Sequence, residues 1–206
     1  MTLSELHDQI RDCRLCGLCE GRTQVVFGGG AEDADIVFVG EAPGLNEDKQ
    51  GIPFVGRAGQ LLNRLLGDIG LSRDEVYIAN VLKCRPPNNR DPQPDEVSTC
   101  KPFLFRQLEI ITPRVVCTLG NFATRTMLGR QVAISKVRGR PFQQPDYVVF
   151  PIFHPAAALH QGSLLDPLMT DFRALGELLD ELRAGPGAAP AEVEELPPDE
   201  EQLSFF

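Results

Sequence analysis

Four short apolar runs alternate with segments of helical periodicity, and this alternation limits what the chain can fold into. The runs are Asp35-Ile36-Val37-Phe38-Val39-Gly40, Glu75-Val76-Tyr77-Ile78-Ala79-Asn80, Arg114-Val115-Val116-Cys117-Thr118-Leu119 and Tyr147-Val148-Val149-Phe150-Pro151-Ile152. Near-continuous apolar runs of this length suit strands buried on both faces, as in a parallel sheet. Helical spacing appears at Leu3, Leu6 and Ile10, and again at Leu61, Leu62, Leu65 and Leu66. It returns over Asp95 to Ile111, with a break or kink expected at Pro102, over Phe122 to Leu128, and over Pro167 to Leu182. Strands separated by helices predict an α/β fold, with helices on both faces of a mostly parallel sheet. Ligands of such sheets bind beyond the carboxyl ends of the strands.

The residues that leave the runs are therefore the candidates for chemistry. After the first run come Gly40-Glu41-Ala42-Pro43-Gly44, Glu47-Asp48 and Gly51-Ile52-Pro53-Phe54-Val55-Gly56-Arg57-Ala58-Gly59. The glycines permit close backbone approach to a ligand, and Glu41 and Glu47, which follow a buried strand, are either solvated loop acids or site carboxylates. Phe54 offers either a stacking platform or a core aromatic. Asn80 closes the second run and carries a donor and an acceptor on one planar group, the requirement for reading a pyrimidine edge. His154 leaves the fourth run, followed by the apolar stretch Ala156 to Leu159, a candidate wedge into a nucleic-acid duplex.

Six cysteines occur, at 13, 16, 19, 84, 100 and 117. With no secretion signal in view, a metal or cluster site is a better expectation than a disulfide framework. Cys13 and Cys16 form a C-x2-C, as do Cys16 and Cys19, and four thiolates suit zinc or an iron–sulfur cluster. The second pair, Cys84 and Cys100, is split by fifteen residues, which favours a cluster over a zinc ribbon. Cys117 sits mid-run and is expected in the core.

The formal charge is −9, from 20 Lys+Arg and 29 Asp+Glu, which at first sight argues against a nucleic-acid partner. Six of the acids lie in residues 184–206 with no base among them, leaving 23 acids against 20 bases in residues 1–183. That Gly/Pro/Glu-rich tail is expected to be disordered, and residues 1–183 to form the single folded domain. Arg57, Lys83, Arg85, Arg90, Arg138 and Arg140 fall in or near the expected site loops, where phosphate contacts would be needed. No apolar run is long enough to span a membrane.

Taken together these pieces resemble uracil-DNA glycosylases of the iron–sulfur family 4 group. The resemblance is carried by Gly40-Glu-Ala-Pro-Gly44, Glu47-Asp48, Gly51-Ile-Pro-Phe-Val-Gly-Arg-Ala-Gly59, Asn80-Val-Leu-Lys-Cys-Arg-Pro-Pro87 with Asn89-Arg90, and His154-Pro-Ala-Ala157, and it runs from about residue 6 to 183. It implies a three-layer α/β/α sandwich around a four-stranded parallel sheet. It implies a [4Fe–4S] cluster, structural in role, on Cys13, Cys16, Cys84 and Cys100. Uracil would be flipped out of DNA, stacked on Phe54 and paired with Asn80. A backbone amide near Glu41 and Ala42 would assist at a carbonyl, and His154 would hydrogen-bond O2. Best-known uracil glycosylases carry a water-activating Asp where this chain has Ala42, so Glu41 is the expected substitute, with Glu47 and Asn89 as a supporting hydrogen-bond pair. Pro43 or Glu47 would line the C5 side, and Leu159 would belong to the wedge.

The implied activity is monofunctional hydrolysis of the N-glycosidic bond of uracil in single- and double-stranded DNA, the opening step of base excision repair. The alternative is an iron–sulfur protein that binds such DNA without cleaving it. The last residues, Gln202-Leu203-Ser204-Phe205-Phe206, resemble a bacterial sliding-clamp-binding peptide, in which Gln202, Leu203, Phe205 and Phe206 would fill clamp pockets. The expected setting is a monomer in the cytoplasm, at the nucleoid.

Overall fold

The structure, a computed structural model, describes residues 1–185. The expected disordered tail from residue 186 onward, with the clamp-peptide residues Gln202, Leu203, Phe205 and Phe206, lies outside the described residues. In chain order the elements are α1 (Leu3–Ile10), β1 (Gly29–Gly30), β2 (Ile36–Gly40), α2 (Leu45–Gln50), α3 (Arg57–Asp68), β3 (Tyr77–Asn80), α4 (Pro94–Ile111), β4 (Val115–Leu119), α5 (Gly120–Leu128), α6 (Ile134–Val137), β5 (Phe142–Gln143), β6 (Val148–Ile152), α7 (Pro155–His160) and α8 (Leu165–Arg183).

The four apolar runs are the four central strands. They pair in parallel in the order β3-β2-β4-β6, and the two-residue strands β1 and β5 add antiparallel edges to β3 and β6. The sheet is thus six-stranded, with the expected four-stranded parallel sheet at its centre. Alternate side chains of one strand enter two separate cores. Val37, Val39, Tyr77, Ala79, Val116 and Val149 pack with Leu3, Leu6 and Ile10 of α1 and with Leu104, Leu108 and Ile111 of α4. Ile36, Phe38, Ile78, Val115, Phe150 and Ile152 pack with Leu62, Leu65 and Leu66 of α3 and with Phe172, Leu175 and Leu179 of α8. Burial on both faces is why each run is apolar throughout and not alternating.

Helix α4 continues through Pro102 as one element, so of the expected break or kink the break is absent. Proline withdraws one helical hydrogen bond, and burial of Cys100, Leu104, Gln107, Leu108 and Ile111 along the same helix offsets that loss. Among the described residues no helix is long and apolar enough to cross a membrane.

From β2 the chain moves to β3 on one side, then by α4 to β4 on the other. Such a reversal opens a crevice at the carboxyl ends. Gly40 is in register with Asn80, and Leu119 with Ile152, so the strands end nearly flush beneath this crevice.

Candidate active site

A cavity of about 380 Å³ opens at those strand ends. Glu41 enters it from the end of β2, Asn80 from β3 and His154 from β6, and the loops add Ala42, Pro43, Glu47, Phe54 and Asn89. Eight of the nine candidate catalytic and substrate residues therefore meet in one place. The ninth, Leu159, lies outside the lining, 39% exposed on the last turn of α7. Ala58, Pro86, Arg90 and Ala156 also line the cavity. Of these only Arg90 carries a charge that sequence reading could single out.

Each side chain is held for a physical reason. Asn80 is 2% exposed, and its Oδ1 is buried with no hydrogen-bond partner. An orphaned acceptor of this kind is costly, on the order of 1–3 kcal/mol, unless a ligand completes it. Gly40 makes room for it: a Cβ there would stand 2.4 Å from Asn80 Oδ1 and 2.8 Å from two Phe54 ring carbons. Beyond the end of β4, Gly120 does the same for His154, whose own Cβ would lie 3.1 Å from an added one.

His154 caps α7, and its Nδ1 accepts the Ala156 backbone N–H at 3.0 Å. With Nδ1 as acceptor, a neutral ring carries its proton on Nε2. Burial pushes the imidazole down to about 4, so the ring is neutral at physiological pH. Its ring stacks against that of Phe54, with centroids 5.6 Å apart. Glu41 is half-buried, and no hydrogen bond to its carboxylate is present among the described residues. Burial, and secondarily the charge of Asp91, raise its pKa above the ordinary carboxylate value.

Glu47 and Asn89 face the same cavity but are engaged elsewhere and not with one another. Glu47 Oε1 accepts the backbone N–H groups of Val55 and Gly56 at 3.0 and 2.9 Å. Asn89 Oδ1 accepts from Arg85 Nε at 2.8 Å. Asp48, adjacent to Glu47, is buried and takes both the N–H and the hydroxyl of Thr23, tying the N-terminal loop to α2.

A second, smaller cavity gathers the cysteines. Cys13, Cys16, Cys84 and Cys100 line it together with apolar Ile10, Leu15, Val25 and Phe103, and with Arg22, Lys83 and Thr99. Cys19 is not in its wall, and Cys117 is fully buried in β4. No three His, Cys, Asp or Glu side chains among the described residues are arranged to hold a single metal ion. The four thiols surround a shared space instead, and two donors point at their sulfurs: Arg22 Nη1 to Cys84 Sγ at 3.3 Å, and the Lys83 N–H to Cys100 Sγ at 3.2 Å. Burial pushes the Cys84 thiol up to about 11 and raises Cys16 and Cys100 as well. Thiolates in this cavity therefore call for a cationic centre beside them, as metal coordination provides.

The uracil DNA glycosylase superfamily model matches residues 27–182. A type-4 uracil-DNA glycosylase of Sulfurisphaera tokodaii is 45% identical over 186 residues, covering 86% of this chain and 84% of that one. The chain belongs to the type-4 uracil-DNA glycosylases. Other members similar to it are those of Archaeoglobus fulgidus, 46% identical over 86% of this chain and 93% of that protein, and of Thermotoga maritima, 49% identical over 76% and 82%.

Of the six cations read from sequence as phosphate contacts, three are tied into the fold. Lys83 is 2% exposed: its Nζ donates to the Asn80 carbonyl at 2.9 Å and to Gln107 Oε1 at 2.5 Å. Arg90 forms a bidentate pair with Glu96, and Arg138 one with Asp171. These three are structural ties and not free phosphate ligands. Arg57 lies exposed at the start of α3, next in sequence to Ala58 of the cavity wall.

Proposed function

We propose that the protein hydrolyses the N-glycosidic bond of uracil flipped out of DNA, as a monofunctional glycosylase that begins base excision repair. The observation that carries this is the unpaired Oδ1 of Asn80 in the same cavity as the Phe54 ring and a neutral His154. The orphaned oxygen suits the N3–H of uracil, a donor that cytosine lacks. Phe54 supplies the stacking face. The Nε2–H of His154 donates to O2, where charge accumulates as the C1′–N1 bond breaks. The electron pair of that bond leaves with the base. Water adds to C1′, and its proton passes toward Glu41, whose carboxylate also faces the oxocarbenium-like sugar. Among the described residues no lysine lines the cavity, which supports hydrolysis without an amine-linked intermediate.

The proposal assigns a [4Fe–4S] cluster to Cys13, Cys16, Cys84 and Cys100. When bound, it supplies a cross-link between the N-terminal loop, the exit of β3 and α4. It also assigns Gln202, Leu203, Phe205 and Phe206 as a sliding-clamp anchor, on likeness of sequence alone.

Release of free uracil from single- and double-stranded uracil-containing oligonucleotides, leaving an alkali-labile abasic strand, tests the reading. A stable complex with no released base would replace it by a binding role. The pH profile is a further check. Glu41 must be ionised, so kcat/KM falls as pH drops through its raised pKa, whereas His154 stays neutral down to about 4. The acid limb therefore belongs to Glu41. Asp91→Asn removes a like charge and should move that limb to lower pH, and a limb that stays in place would refute the assignment.

A further inference from the structure

We propose that Arg73 is a positioning residue for base binding, acting through Phe54 from outside the cavity. This rests on the uracil-excision reading above. Phe54 has φ +51°, a left-handed conformation that a bulky side chain rarely adopts and that costs energy unless its surroundings impose it. The surroundings here are two opposite charges gripping consecutive peptide groups. The Arg73 guanidinium donates to the carbonyls of Pro53 and Phe54, the latter at 3.1 Å, and to Asn63 Oδ1 at 3.3 Å. Glu47 Oε1 accepts the next two N–H groups, Val55 and Gly56. Gly59 completes the seat, since a Cβ there would lie 1.7 Å from the Phe54 carbonyl oxygen.

All three peptide groups linking residues 53 to 56 are thus held by side chains, the one between 54 and 55 from both ends, and the residue with the strained backbone bears the aromatic wall of the cavity. Arg73 itself stands in the short 3-10 turn Arg73–Glu75 before β3 and does not line the cavity. Without the guanidinium, the two carbonyls lose their donors and the left-handed turn loses the contact that opposes its relaxation. The Phe54 ring then no longer waits in place for a base.

The test compares Arg73→Met and Arg73→Lys with the native protein, each alone and in a Phe54→Ala background. Arg73→Met is expected to raise both KM for a uracil oligonucleotide and the inhibition constant of free uracil, each roughly tenfold, the scale of one base–aromatic stack. Arg73→Lys, keeping one cationic donor, should fall between. In the Phe54→Ala background neither Arg73 variant should change either constant further. Loss of folded protein alone would lower the active fraction and kcat while leaving KM and free-uracil inhibition unmoved, and that result would overturn the proposal. Hydrogen exchange of the Val55 and Gly56 amides gives a readout independent of catalysis: it should quicken in Arg73→Met, and unchanged exchange would refute the clamp. A native protein that releases no uracil, yet whose Val55 and Gly56 exchange quickens in the variant, would overturn the functional reading and leave the clamp standing.

Discussion

His154→Asn is expected to lower kcat for uracil excision by about 10²–10³-fold, with a melting temperature close to that of the native protein. The pairing of these two results follows from the double duty of the imidazole. Nδ1 caps α7 by accepting the Ala156 N–H, and Nε2 is left to donate into the cavity. Asparagine is among the best N-cap residues, so its Oδ1 takes over the cap. Its shorter side chain cannot present a donor where Nε2–H stood. His154→Ala loses both, and should add a stability loss of about 1 kcal/mol to the same catalytic defect. An Asn variant within tenfold of native kcat would mean that the charge developing on the base is met by another donor.

Gly40→Ala should be nearly as damaging, through one methyl group. The added Cβ would stand 2.4 Å from Asn80 Oδ1 and 2.8 Å from the Phe54 ring. Either neighbour can yield only toward the cavity that both line, out of its place in the wall. Asn80 is buried at a strand end, and the backbone of Phe54 is held by Arg73 and packed against Gly59. Overpacking of this kind costs roughly 1–3 kcal/mol of stability. The larger consequence is that the two groups proposed to hold the base are displaced together, so kcat/KM should fall by on the order of a hundredfold or more. Inhibition by free uracil measures it directly, and native inhibition in the variant would show that these groups do not hold the base.

How much of this was legible in the sequence depended on whether a residue acts where its neighbours in the chain suggest. The four central strands were legible because both faces are buried, which writes an apolar run. Strands β1 and β5 were not, since two residues each carry no periodicity. Nor was α2, a six-residue turn of helix whose single buried side chain is the acid Asp48. The residues that line the cavity could be found because strand ends are where such sheets bind ligands. Lys83, Arg90 and Arg138 misled, because a cation in a loop reads as solvent-facing. Their partners, Gln107, Glu96 and Asp171, lie 24, 6 and 33 residues further along. Arg73 left no signal at all: it sits in a polar Ser-Arg-Asp-Glu turn, and what it holds is backbone 19 and 20 residues upstream.

The order of the strands in the sheet is not their order in the chain, and this bears on when the site comes into existence during synthesis. Glu41, Phe54 and Asn80 emerge early, and eleven of the thirteen residues that line the cavity precede residue 91. The fourth reactive group waits for β6, which docks beside β4, itself delivered to the far side of β2 by α4. A chain that has not yet reached His154 holds Glu41, Phe54 and Asn80 but lacks the imidazole. On the proposed mechanism, catalytic competence therefore waits for His154, with α7 and α8 still to follow. An excision assay on growing or truncated chains would read the completion of folding as a switch and not as a slope.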